Sequence, residues 1–237
     1  MLSLLLTALL IAFAVAGIFF LRHLVSKFKT AFHQNTVLDF QIKFQSLQLI
    51  LSALVLFVIY WLNPVNFALF FRMGDVNARI SKIAWLGVTG EETWLQIAFS
   101  LGFFITLGTA IFMYFQLKKE GADYRYLFFS LLWAIPSSLA NAFSEEVIFR
   151  LGIVAPLYGV LSVPMVLLIS GAAFGIPHYF GTPSGIIGVL MAGFLGWLLA
   201  MSLVETQGFL LAWGLHFVQD VVIITAMILM SKSKEAK

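Results

Sequence analysis

Apolar residues run along this chain in long blocks, with the polar residues gathered between them. The blocks extend from Leu2 to Leu21, from near Leu47 to Leu62, and from Leu95 to Phe115. Others run from Pro164 to Ile176, Gly185 to Val204 and Phe209 to Met230. Each is of about the length that crosses a hydrocarbon core as a helix. A further apolar region, Tyr124 to Val160, is interrupted by Pro136, Ser137 and Ser138 and then by charges at Glu145. The pattern predicts an all-α fold, a polytopic transmembrane helical bundle of about seven spans, within six to eight. Asn63 to Thr93 holds Asn-Pro, Met-Gly-Asp and Thr-Gly-Glu-Glu with Arg72, Asp75, Arg79 and Lys82, so it reads as an extramembrane connection with room for a short surface helix. The expected organisation is N-terminal spans over 1–136 with that connection at 63–94, a membrane core over 137–230, and a frayed cytoplasmic tail over 231–237.

Composition agrees with the blocks. Of 237 residues 61% are hydrophobic and 11% charged, against about a quarter charged in soluble domains. The net charge of +3 could suit nucleic acid, but the Lys and Arg residues sit in short tracts between apolar runs and form no basic stripe. The expected environment is a lipid bilayer, with no nucleic-acid partner. Cysteine is absent, which excludes disulfides, thiolate ligands and thiol nucleophiles.

The basic tracts report orientation. Alternating the blocks across the membrane puts Arg22, Lys27, Lys29, Lys43, Lys118, Lys119, Arg125, Lys232, Lys234 and Lys237 on one side and Arg72, Arg79, Lys82 and Arg150 on the other. The positive-inside rule then predicts an external N terminus and a cytoplasmic C terminus. The first block has no positive charge before it and three after it, the reverse of a signal peptide, so a retained first span is expected despite the small residues Ala14 and Ala16.

Ionisable residues within apolar sequence are costly in a bilayer and are functional candidates by default. Glu146 and Arg150 stand four apart and can pair along one helix face; Glu145 is turned about 100° away and lacks that partner. A carboxylate held free in a dry site suits proton abstraction from water. The same run also suits an ordinary ion-pair patch at a helix end. His178 closes an apolar run and equally suits a polar tip at an interface. His216 and Asp220 lie at i and i+4 on one face, a spacing at which the carboxylate can orient the imidazole, or at which the two can latch neighbouring spans. A hairpin turning between Tyr158 and Pro164 brings Glu145 and His178 level, each arm of roughly 16 residues rising about 24 Å. On this parse Tyr124 to Pro136 is an interfacial or kinked segment and the span proper begins near Ser137. Arg150 then lies inside the membrane, and the groups meet in a buried cavity leaning toward the cytoplasm.

Glu145-Glu146-x-x-x-Arg150, Phe174-x-x-x-His178 and His216-x-x-x-Asp220, in that order on apolar segments, resemble the motif set of the CPBP (CAAX protease and bacteriocin-processing, ABI) family of intramembrane proteases. The resemblance covers roughly Ser137 to Met230. It implies an endopeptidase acting on a membrane-associated peptide or protein, with Glu145 activating a water, His178 holding it, His216 and Asp220 completing the catalytic set, and Glu146 and Arg150 in support. An oxyanion-binding role proposed for Asn in the third motif does not suit Asp220, which when ionised cannot donate a hydrogen bond; orienting His216 suits it better. A zinc or other divalent ion on His178, His216 and Glu145 is chemically reasonable beside a metal-free route. The resemblance also fits bacterial plasma-membrane relatives that serve non-proteolytically in bacteriocin self-immunity or as scaffolds. A proton-coupled transporter is disfavoured, because the polar groups cluster in one half of the chain with no inverted repeat.

Overall fold

The structure is a computed structural model that describes residues 2–181 and 183–235; side chains 2–8, 10, 11, 14 and 15 lie outside that description. It is all-helical. Four elements precede the core: α1 (Leu2–Lys27), α2 (Thr36–Leu62), the short α3 (Pro64–Phe70) and α4 (Trp94–Glu120). Then come α5 (Leu127–Glu146), a π-helical turn (Val147–Leu151) and α6 (Gly152–Leu157), which run on as one apolar rod from Tyr124 to Leu157. The chain ends with α7 (Val163–Gly175), α8 (Gly185–Thr206) and α9 (Leu210–Glu235).

Among the described residues 6 helical stretches are long and apolar enough to cross a membrane, and α1 adds a helix of 26 residues. Their outward faces carry large apolar side chains: Phe99, Phe128, Leu168, Ile186 and Leu190 are all at least 66% exposed. Such a surface is stable in lipid and not in water. The chain is an integral, multi-pass membrane protein.

Local chemistry sets the helix ends. Asn35 caps α2 by accepting from Leu38 N–H, Thr93 and Gln96 form a reciprocal capping box on α4, and Gly121 closes α4 in the left-handed conformation. At one end of the bundle, the 63–93 connection ties down the turns at 158–162 and 206–210. Asn66 donates to Ala155 and Tyr158 carbonyls, Arg72 to Gln207, and both Trp94 Nε1 and Ser81 N–H to Glu205. We call this the connection face. At the other end, the tail face, Asn35 donates to Ser231 and Glu235, and Lys234 pairs with Glu120.

Several expectations shift. α2 begins at Thr36, not near Leu47, and Lys43 lies buried inside it, paired with Asp39, and not in a connection. α5 is helical from Leu127 through Pro136, so the span does not begin at Ser137; a proline removes one donor, which membrane helices tolerate. α9 stays helical to Glu235, placing the first five residues of the expected frayed tail in a helix; Ala236 and Lys237 lie outside the described residues. The turn between Tyr158 and Pro164 is where the hairpin argument put it.

Candidate active site

Four helices meet where α5 ends. Glu145 and Glu146 are its last two residues, and the π turn that follows buries Val147 through Leu151 completely or nearly so. A π turn accommodates one extra residue and leaves a carbonyl to be satisfied elsewhere; Ser170 of α7 donates to Phe149 O at 2.7 Å. This local rewinding points both Glu146 and Arg150 into the protein, where both side chains are fully buried.

Glu146 Oε1 is the hub. It accepts from Arg150 Nη2 at 2.7 Å and lies 2.7 Å from His216 Nδ1. With that nitrogen donating to the carboxylate, Nε2 is the free end of the ring, and it faces Glu145 Oε2 and Asp220 Oδ1, each at 3.6 Å. Asp220 in turn accepts from Asn141 Nδ2 at 3.0 Å, and Glu145 Oε1 accepts from Gln48 Nε2 at 3.3 Å. The expected orienting of His216 by its i+4 carboxylate therefore falls to Glu146 at Nδ1, while Asp220 flanks Nε2. Glu145 is the carboxylate with partial exposure, 15% for its side chain against 0% for Glu146.

Arg150 also lies over the ring of Phe174, 4.1 Å from its centroid. That phenylalanine is a second hub: His178 packs on it at 4.6 Å and His216 edge-on at 5.4 Å. His178 places Nδ1 2.8 Å from Phe174 O. Among the described residues it forms no hydrogen bond or ion pair with Glu145, Glu146, His216 or Asp220. It is half-buried, joined to the cluster through an aromatic ring.

α7 can carry Phe174 this close because α8 packs on it through glycines. A Cβ on Gly175 would sit 2.6 Å from Val189 O, and one on Gly171 2.8 Å from Gly193 O. Only hydrogen fits at such a crossing.

His216 is the seventh residue of α9, about 9 Å along the helix from its connection-face end, and Asp220 lies about 6 Å further on. The cluster thus sits in the connection-face half of the 26-residue α9, and not toward the tail face, where the hairpin parse of the sequence places it. No three His, Cys, Asp or Glu side chains among the described residues are placed together to hold a metal ion. The set expected for zinc, His178, His216 and Glu145, is not gathered into one shell. A cavity of about 610 Å³ between Arg72, Asp75, Glu205 and Gln207 is at the connection face and away from this cluster.

Two residues at the site were not among the sequence candidates. Asn141 is one turn before Glu145, and its spacing could have flagged it. Gln48 comes from α2, whose buried Gln41, Gln45 and Gln48 repeat at helical spacing; that repeat was the available signal.

No curated protein and no solved structure matches the chain. Residues 127–222 match the family model described as type II CAAX prenyl endopeptidase Rce1-like. That stretch begins with α5, carries the π turn and Phe174, and ends two residues after Asp220, so it spans every motif residue of the cluster. Over those residues the chain is similar to the type II CAAX prenyl endopeptidase Rce1-like family, the same group that the sequence motifs resemble.

Proposed function

We propose that the protein is an intramembrane endopeptidase that hydrolyses a peptide bond of a membrane-associated peptide or protein with a water activated by Glu145. The observation that supports this reading is the asymmetry between the adjacent glutamates. Glu146 spends its Oε1 on Arg150 and His216, whereas Glu145 keeps a partly exposed carboxylate facing the same imidazole.

Glu145 takes a proton from water as its oxygen attacks the scissile carbonyl carbon. The positive field of His216, held by Glu146, stabilises the negative charge that builds on the carbonyl oxygen. Collapse breaks the carbon–nitrogen bond, and the proton on Glu145 passes to the leaving amine, giving a carboxylic acid and an amine. Asp220, steadied by Asn141, flanks Nε2 and fixes the imidazole between two carboxylates. His178, packed on Phe174 and half-buried, is the residue that would meet the substrate or water. The basic residues toward the tail face support an orientation with the N terminus outside, and the proposed location is a bacterial plasma membrane.

The test is cleavage by purified protein in proteoliposomes of an internally quenched peptide library, with prenylated-cysteine and unmodified arms, each with and without chelator. Glu145→Gln and His216→Ala are expected to lower the rate about a hundredfold or more. Wild-type rates in both variants would refute the reading. The chelator arm tests the zinc set expected from the sequence.

A further inference from the structure

The helix outside the family-matched segment that reaches deepest into the cluster is α2. Its inner face is polar: Gln41, Gln45, Gln48 and Ser52 are all buried, at positions that return to one side of the helix every three to four residues. Gln45 donates to Gln41 at 2.8 Å, one turn nearer the tail face. Gln48 itself is 0% exposed.

Buried amides in a membrane helix are retained where something polar meets them. A carboxylate only accepts hydrogen bonds, so the nitrogen of the Gln48 amide must face Glu145, and its oxygen must point away. That oxygen, Oε1, is buried and has no hydrogen-bond partner among the described residues. An acceptor with no donor, fixed beside the proposed base by its own amide, is a site for a molecule with two protons to give. Water has two: one directed to Glu145, which removes it, and one to Gln48 Oε1, which keeps it. Held by both, the water turns a lone pair toward the remaining open direction.

Building on the endopeptidase reading, we infer that Gln48 of α2 is a positioning residue that orients the attacking water on Glu145. The glutamines above it, Gln45 and Gln41, form the polar wall along which water reaches it from the tail face. The role requires both ends of the amide, the donor for Glu145 and the acceptor for water.

Gln48→Met and Gln48→Leu keep the volume and remove both ends. With the most rapidly cleaved quenched peptide in proteoliposomes, each is expected to lower kcat about tenfold or more while KM stays within about twofold. Melting temperature should be unchanged or higher, since a buried unpartnered oxygen is gone. Ser46→Ala, on the exposed face of the same helix, should retain wild-type kcat. Wild-type kcat in either apolar variant overturns the inference, as does a loss shared with KM or accompanied by unfolding in both, which would mark Gln48 as a packing residue. If Glu145→Gln also cleaves normally, the endopeptidase reading itself has failed; if Glu145→Gln is inactive and Gln48→Met is not, only the role of Gln48 has.

Discussion

A single carboxylate oxygen, Glu146 Oε1, answers two cations or potential cations, Arg150 and His216, in a site with no exposure to share the charge. Its companion Oε2, and Arg150 Nε and Nη1, are buried without hydrogen-bond partners among the described residues. Removing one member of such a pair leaves an uncompensated charge. Glu146→Ala should cost roughly 3–5 kcal/mol of stability and release the His216 ring, whereas Glu145→Ala should leave the melting temperature near wild type and remove cleavage. Thermal melting of the two purified variants side by side checks this. Equal destabilisation by both would contradict the division of labour between the neighbouring glutamates. That division was half legible in the sequence. The i, i+4 spacing gave the Glu146–Arg150 pair, but nothing in a one-dimensional pattern shows that His216, 70 residues on, comes to Glu146. Asp220 illustrates the converse: its spacing suggested that it orients the His216 ring, and the distant Glu146 holds Nδ1 while Asp220 flanks Nε2.

Elements were legible wherever a helix faces lipid and illegible where it faces the site. Leu47 reads as the start of the second span because Asp39, Gln41, Lys43 and Gln45 look like loop residues; they sit on the inside of α2, where pairing and hydrogen bonds offset their polarity. Pro136 looks like a boundary and is absorbed into α5. The π turn at 147–151 has no sequence signature, because winding follows from packing against α7. Its freed carbonyl makes a sharp prediction: Ser170→Ala should destabilise by about 1–3 kcal/mol, since Phe149 O would be left buried without a donor. Gly175→Ala should separate α7 from α8 and lower activity more than stability, as Phe174 and His178 ride on that crossing. Melting and kinetics on the same preparations distinguish the two outcomes.

At the scale of the molecule, the two faces differ in charge. Arg72, Arg79 and Lys82 are on the connection face, and the remaining basic tracts lie toward the tail face. As the chain lacks cysteine, Lys82→Cys and Lys29→Cys can each carry one label. Impermeant maleimide on intact cells should modify the first and not the second; the reverse would invert the proposed topology. The connection face also carries a pH limit. Glu92, in the loop leading to α4, is held down to about 2, first by its own backbone N–H and then by Thr89 and Gly90. Its contribution is complete above the ordinary glutamate value and disappears as pH falls toward about 2, so protease protection of the 89–93 loop should weaken over that window and be flat above it.

The π turn makes function and membrane integration separable by a single codon. Loss of one residue within 147–151 would let the turn relax to an ordinary α-helix with α5 and α6 nearly in phase, shortening the Glu146–Arg150 spacing from four residues to three and disturbing the pair that holds His216, while leaving every apolar block long enough to cross. Deletion of Ile148 should therefore yield a protein that still inserts and accumulates but no longer cleaves, readable as normal membrane yield with absent turnover. A lineage carrying that deletion would keep the bundle and its surfaces and lose the chemistry in one step.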